Sequence, residues 1–581
     1  MRTASVIWRT MGRGSPVAIW IISAAVRATA RLLLMCTNTN STVGTDGCPA
    51  SRRLQRRPPR QASFFNPSVL LVIVQKDKGN HSMKALRKLG QRMPRLAVVA
   101  LSCAVLPVFA GAPDAASARS AEVARYFENC HAVRVCNGSF LVTQHGKLVY
   151  QDALGDADAS AQAKLTVDHA FDIGSVSKQF AAAAVLRLVE RGQLALDDPA
   201  AKYLPQLPYA DVTLRQLLTH TSGVPDVFPL YTQLLKRGEV TTAMRGDEAV
   251  SLLVEHKAPL SFAPGSAFEY SNTGYILLAQ IVGRVSGMDY ADYLQREFFT
   301  PLGMTHTRVR LPDNDALIQP RAWGFIVRPD GSRKPFDQIP NFYPVGPGGI
   351  YSTTHDLQLW ADALQQGRAM SKANWALATT RATLSDGSKV PYGFGFKLVD
   401  SALGRPMVTH GGDWRGFKSD LTLLPEQGIQ IVMLTNNAQD DSVEAARDAV
   451  EAILAGKPRP VLRTSVHWEL YKQADGLDAA QLKRWLDQQW AEKPQRYDFP
   501  GQPLEQVAGD LLKRKAADKA VAVLEFNARI HPTSLDALDS LADVYRETGN
   551  RQAAIAQVQK MIALKPESRR LRQRLAQLQG Q

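Results

Sequence analysis

Cysteine is scarce in this chain: five in 581 residues, at positions 36, 48, 103, 130 and 136. That count excludes a disulfide-built scaffold, and the Cys130/Cys136 spacing matches no metal site. No apolar run reaches the ~18 residues that a membrane-spanning helix requires, so a multispan membrane protein is excluded. His-Glu-x-x-His and Gly-x-Ser-x-Gly are both absent. Their absence removes the usual sequence grounds for metal-assisted hydrolysis and for an α/β-hydrolase nucleophile elbow. Acids are also in deficit, 54 against 69 basic residues, for a formal charge of +15.

That excess sits at one end. Residues 1–118 hold seventeen Lys/Arg against three acids, which is +14 and leaves the following 463 residues about +1. A near-neutral body offers no electrostatic footprint for nucleic acid. Residues 83–118 read as a secretory signal peptide: basic from 83 to 95, apolar from 96 to 109, then small-x-small sites at 110–112 and 116–118. Pro113 disfavours the first site, so cleavage after Ala118 and a periplasmic or secreted location are expected. Cys103 closes only a weak lipobox, and lipid anchoring is not expected. Residues 1–82 lie upstream of this complete signal and read as an over-extended or disordered N-terminus, with Met83 the initiator. Only Cys130 and Cys136 survive processing, and a short disulfide loop or two separate buried thiols both stay open.

Residues 119–456 read as one domain. Two strand-like runs flank His145-Gly146, and three more (407–410, 418–424 and 429–434) are separated by Gly-containing turns. Between them the pattern is helical, including a helix over 171–192 that ends at Gly192. Strands at both ends predict an α+β fold, with one antiparallel sheet closed by the first and last segments. A linker and helices over 457–500 follow, then 501–581 at helical spacing. There Pro532 and Pro566 lie 34 residues apart, the period of a tetratricopeptide unit, with Tyr545 and Gly549 in place in the second copy. Two such units are too few to stand alone, so they are expected to lean on the preceding helices or the main domain.

The chemistry centres on Ser175-Val-Ser-Lys178, the one Ser-x-x-Lys in the chain. Alone it is a weak signal, equally a polar helix start with a solvated lysine. As read, Ser175 opens the helix and Lys178 lies at i+3 on the same face. A serine hydroxyl needs an adjacent base, and lysine serves only if its pKa is lowered from about 10.4. Two further clusters accompany it. Tyr270-Ser-Asn272 places a phenol and an amide before an apolar helix, and His410-Gly411-Gly412 ends a strand where glycines let a substrate backbone approach.

Together these resemble the three active-site motifs of the serine β-lactamase and penicillin-binding protein superfamily, closest to the class C β-lactamase-related branch with its D-aminopeptidases, DD-carboxypeptidases and esterases. The resemblance covers roughly residues 139–437. It implies a β-lactamase/transpeptidase-like fold, Ser175 as acylated nucleophile, and Lys178 as its base or proton relay. By the same resemblance Tyr270 shares general-base work, Asn272 orients the substrate, and backbone N–H groups of Ser175 and Asp413 form the oxyanion hole. His410, Gly411, Gly412 and Asp413 line the substrate. His410 departs from the Lys-Thr-Gly of true class C β-lactamases; a mostly neutral histidine there predicts weak use of anionic β-lactams and better use of neutral esters. Arg415 is the nearest basic residue in that segment. His220 reads as a structural loop residue. No metal and no cofactor are expected.

The leading expectation is therefore a serine hydrolase acting on a small-molecule or peptide amide or ester. The alternative is a non-catalytic peptide or cell-wall binding scaffold, with the repeat-like segment recruiting a protein partner. Segments 224–236 and 320–347 are expected to be the loops that set specificity.

Overall fold

The computed structural model describes residues 115–580 apart from 240–243, 245, 257, 340, 341, 439–441, 493 and 494. These belong to one compact unit, Leu106–Gln581. The expected leader and the residues upstream of it lie outside the described residues, except for 115–118. Those four form the first turn of a helix, α1 (Ala115–Ala132), so the expected cleavage point falls inside it.

The sheet is built from β1 (Gly138–Gln144), β2 (Lys147–Leu154), β3 (Lys397–Asp400), β4 (Pro406–Trp414), β5 (Phe417–Leu424) and β6 (Ile429–Thr435). Its order is β2-β1-β6-β5-β4-β3 and every pairing is antiparallel. The first and last segments meet as expected, Gly138 opposite Thr435 and Gln144 opposite Ile429. Residues 145 and 146 both take positive φ (50° and 72°), the two-residue turn that matches strand twist.

The period-two alternation of these strands feeds two cores. Leu141, Leu421, Leu423, Val432 and Leu434 face the larger one, which packs against α2 (Lys178–Glu190), α4 (Asn272–Ser286) and α5 (Thr354–Gln366). Phe140, Val142, Leu424, Ile429, Ile431 and Met433 face the other side. There α1 contributes Val123, Tyr126, Phe127 and Cys130, the i, i+3, i+4, i+7 stripe of an amphipathic helix, and α6 (Ser442–Leu454) contributes Val443, Ala446, Val450 and Ile453. Cover on both faces is why β6 is buried at every position. Cys130 and Cys136 form a disulfide across Cα atoms 5.2 Å apart, which closes the alternative left open in the sequence.

Segment 224–236 is not a loop but a helix, α3 (Val227–Arg237), capped by Asp226, whose carboxylate accepts from Phe228 N at 3.0 Å. Within 320–347 a small hairpin pairs Phe325–Val327 with Arg333–Pro335.

Past the domain, α7 (His467–Ala474), α8 (Ala479–Glu492), α9 (Gly501–Lys513), α10 (Ala517–Ile530), α11 (Leu535–Glu547), α12 (Arg551–Leu564) and α13 (Arg569–Gln579) share a separate core. Helices α9 and α11 begin 34 residues apart, as do α10 and α12. Val466, Leu470, Leu482, Leu486 and Phe499 belong to the same core, so the 457–500 segment packs with the helices that follow it. Polar and aromatic contacts tie this part to the domain: Arg134 stacks over Trp468, and Arg459 lies over Tyr126 and 3.7 Å from Glu122. Among the described residues no helix is long and apolar enough to cross a membrane.

Candidate active site

The predicted continuous helix from Phe171 is broken. Phe171–Asp172 is a short strand paired with Ile350–Ser352, followed by a 3-10 turn over Gly174–Ser177, and the α-helix starts only at Lys178. Gly174 has φ +48°, outside the helical region, and the Asp172 carboxylate holds its N–H at 2.8 Å. In a 3-10 turn residues i and i+3 eclipse, so Ser175 and Lys178 come to one side. Lys178 Nζ sits 3.0 Å from Ser175 Oγ.

Lys178 is 0% exposed, and burial pushes its pKa well below the ordinary value. Asp226 opposes that shift and Lys397 reinforces it. Besides Ser175, its Nζ reaches Asn272 Oδ1 at 2.9 Å and the Pro347 carbonyl at 3.1 Å. Both of those oxygens only accept. A neutral amine has two N–H bonds to give, and they absorb both, leaving its lone pair toward the Ser175 hydroxyl. The amide orientation that this needs is set from behind. Asp226 Oδ2 accepts from Asn272 Nδ2 at 2.9 Å and from Asn272 N at 3.1 Å, so the Asn272 oxygen must face Lys178.

Tyr270 lies on the other side of the serine. Its ring is 4.6 Å from Lys178 Nζ, and the Ser175 hydroxyl is a side-chain hydrogen-bond partner of its phenol. Desolvation raises the phenol pKa further than that bond lowers it, so the phenol stays protonated at neutral pH. The two groups are thus shifted in opposite directions, Lys178 down and Tyr270 up. His220 packs against Tyr270 with ring centroids 4.3 Å apart, and its Nδ1 accepts from Ser271 N at 3.2 Å. Its ring thereby buttresses Tyr270.

Strand β4 closes the site. A Cβ on Gly412 would fall 2.2 Å from the Ile173 carbonyl, and one on Gly174 would fall 3.0 Å from Asp413 N. Gly412 therefore lets the nucleophile turn pack against the strand, and Asp413 N lies close to Gly174, the residue before Ser175. The Asp413 side chain is exposed and bonds Lys418 at 2.7 Å.

His410 is corrected by its surroundings. Its Nδ1 faces the Gly411 carbonyl at 2.7 Å and so carries the proton, while Nε2 meets the Tyr392 hydroxyl at 2.8 Å. Burial holds its pKa down at about 3. It remains neutral throughout the working range and offers the cavity a ring edge. Arg415 turns away: its Nε donates to Asp337 O at 2.8 Å and its guanidinium lies over Phe336.

Ser175, Tyr270, Asn272, His410, Gly411, Gly412 and Asp413 all line one cavity of about 920 Å³, and Lys178 lies buried behind Ser175. Much of the remaining wall is aromatic: Phe342 stacks on Trp414 at 5.0 Å, with Phe228 edge-on to it. Among the described residues no cluster of His, Cys, Asp and Glu could hold a metal ion.

Residues 123–455 match the Beta-lactamase family. The chain belongs to that family. Penicillin-binding protein 4* of Bacillus subtilis is 32% identical over 347 residues, 58% of this chain and 76% of the relative. Esterase EstB of Burkholderia gladioli is 30% identical over 387 residues, 58% of this chain and 96% of the relative. Among solved structures, the octameric penicillin-binding protein homologue from Pyrococcus abyssi aligns with TM-score 0.51 and 25% identity, over 58% of this chain and 77% of that one. This β-lactamase-family chain is a serine hydrolase with the expected antiparallel sheet and flanking helices.

Two contributors to the site were not read from the sequence. Asp226 had a usable signal, an Asp after Pro225 and just before an amphipathic run, the pattern of a helix N-cap. The Pro347 carbonyl had none, because a backbone oxygen 169 residues from Lys178 reaches it only through the tertiary fold.

Proposed function

We propose that this protein is an exported hydrolase, periplasmic or secreted, of the class C β-lactamase-related branch, and that it cleaves an amide or ester through an acyl-enzyme on Ser175. The observation that carries the reading is the hydrogen-bond count at Lys178. With both amine N–H groups committed to carbonyl oxygens, its lone pair accepts the Ser175 proton as Oγ attacks the substrate carbonyl. The carbonyl oxygen gathers charge and is held by the N–H groups of Ser175 and Asp413. Collapse of the tetrahedral adduct breaks the bond to the alcohol or amine, which takes the proton back by way of Lys178 or Tyr270. Water then repeats the sequence on the acyl-serine, losing its proton to Lys178 and releasing the acid. The aromatic wall of Phe228, Phe342 and Trp414 suits a bulky apolar substituent.

Export is supported by the signal-like segment at 83–118 and by the Cys130–Cys136 disulfide, which persists in an oxidising compartment. The 34-residue recurrence of helices supports a tetratricopeptide-like segment that binds a protein partner.

The test is labelling by a fluorophosphonate probe in wild type and in Ser175→Ala, followed by turnover of nitrocefin, short-chain p-nitrophenyl esters and D-amino-acid amides. Labelling of wild type alone is expected. Well-folded wild type that resists the probe overturns the reading in favour of a binding protein.

A further inference from the structure

The short strand before the nucleophile turn ends in Asp172, a buried carboxylate at the cavity wall. Burial pushes its pKa up to about 6, and above that pH it is ionised and only accepts hydrogen bonds. Its two oxygens are divided. Oδ1 accepts from Gly174 N at 2.8 Å, and Oδ2 accepts from Gln338 Nε2 at 2.8 Å. The same Nε2 also donates to the Tyr351 hydroxyl at 2.8 Å. That hydroxyl is held in place, because Tyr351 pairs with Asp172 across the two strands and accepts from Arg321 at 2.8 Å. On its other side Gln338 Oε1 accepts from Trp414 Nε1 at 2.7 Å. An indole N–H only donates and a carboxylate only accepts, so a single orientation of the Gln338 amide satisfies both.

The two ends of this bridge flank the two N–H groups assigned to the oxyanion. Asp172 holds the N–H of Gly174, the residue before Ser175, and Trp414 is the residue after Asp413. Turn and strand meet closely here, since a Cβ on Gly174 would fall 3.0 Å from Asp413 N. On the sheet side the contact is tied by Ser419, whose Oγ donates to the Ile173 carbonyl at 2.7 Å. On the cavity side the tie is Gln338. The chemistry of that tie calls for an amide, with a donor toward Asp172 and an acceptor toward Trp414. An ionised glutamate lacks the donor and a methionine lacks both.

We propose that Gln338 is a positioning residue for the reaction: by clamping Asp172 to Trp414 it sets the spacing of the Ser175 and Asp413 N–H groups around the developing oxyanion. The assignment rests on the hydrolase reading above and deepens it. A residue outside the three motifs then acts on the rate, and segment 320–347 has a part in the chemistry besides the specificity expected of it. The competing role is narrower: Gln338 fixes Trp414, which stacks on Phe342, and so only shapes the aromatic wall.

The experiment uses full-length enzyme well above the Asp172 pKa, with p-nitrophenyl acetate and p-nitrophenyl phenylacetate as the small and the bulky ester. Each variant is checked by thermal melt. In Gln338→Met, kcat should fall by about 10- to 100-fold on both esters while KM stays within about threefold, a partial loss beside the 10²–10³ of deleting an oxyanion donor. Asp172→Asn should behave alike. With its oxygen kept on Gly174 N, the new amide nitrogen opposes Gln338 Nε2, and Gln338 must turn its own nitrogen against the Trp414 indole N–H. Trp414→Phe removes that second conflict, so Asp172→Asn should cost at least about fivefold less in the Phe background than in wild type. If Asp172→Asn does not fold, Gln338→Met decides alone. A Gln338→Met loss confined to KM of the bulky ester assigns the residue to the aromatic wall and overturns the proposal. A kcat within about threefold of wild type overturns it too, as do equal Asp172→Asn losses in the two backgrounds. All three leave the hydrolase reading intact. Folded wild type that neither turns over an ester nor takes up a fluorophosphonate overturns the hydrolase reading itself, and the Gln338 assignment with it.

Discussion

Replacing Asp226 by Asn tests how the base is aimed. The Asp226 carboxylate does two jobs with two oxygens: Oδ1 caps α3 at Phe228 N, and Oδ2 accepts from Asn272. Asparagine has one acceptor oxygen. With that oxygen kept on the helix cap, its amide nitrogen would face the Asn272 amide nitrogen, and Asn272 would rotate to avoid two opposed donors. Rotation puts Asn272 Nδ2 toward Lys178, where it donates to the lone pair that Ser175 needs. The loss is about one charge-assisted hydrogen bond, ~1.5–3 kcal/mol. That corresponds to roughly 10- to 150-fold in kcat/KM. The pH profile should move as well. The Asp226 charge raises the Lys178 pKa against the lowering by burial, so removing it lowers that pKa further. In the proposed mechanism activity requires neutral Lys178, hence the acid limb of kcat/KM should shift to lower pH while the plateau drops. Ester hydrolysis across pH, alongside the rate of fluorophosphonate labelling, reads both effects. A plateau within twofold of wild type, or an acid limb displaced upward, would refute the reasoning.

Gly412→Ala should lower the melting temperature and slow Ser175 labelling, because its Cβ would lie 2.2 Å from the Ile173 carbonyl and overpacking costs about 1–3 kcal/mol. Gly411→Ala, whose Cβ meets nothing nearer than 3.4 Å, should leave the melt unchanged. His410 is held near pKa 3 when folded and titrates near ~6.5 when unfolded, so between those values the unfolded state binds more protons and stability is lost as pH falls. The stability difference between wild type and His410→Gln should therefore slope by about 1.4 kcal/mol per pH unit across that window, measured by denaturant unfolding; a flat difference would show that His410 titrates normally. Truncation after Gly456 should preserve probe labelling, since the site residues all precede it, while lowering the melting temperature through loss of contacts such as Arg459 with Glu122 and Tyr126. A cooperatively melting truncation that fails to label would tie the helical segment to the site.

Much of this molecule is local, and local features are legible in a sequence. Strands β1, β5 and β6 carry a period-two alternation because each face meets a different apolar core. The helix starts of the C-terminal segment recur every 34 residues because each unit buries the same stripe against its neighbour. Ser175 and Lys178 share a side because they lie three positions apart, although a 3-10 turn rather than the expected α-helix does the aligning. The rest was decided by residues far apart in the chain. Nothing local to Lys178 states that its amine lies buried between Pro347 O and Asn272 Oδ1, or that Asp226 turns that amide. Nor does His410 reveal on its own that Tyr392 and Gly411 occupy both ring nitrogens, or that the adjacent strand presents Lys397 beside it. Protonation state and charge complementarity depend on burial and on what stands opposite, and both come into existence only when the sheet closes.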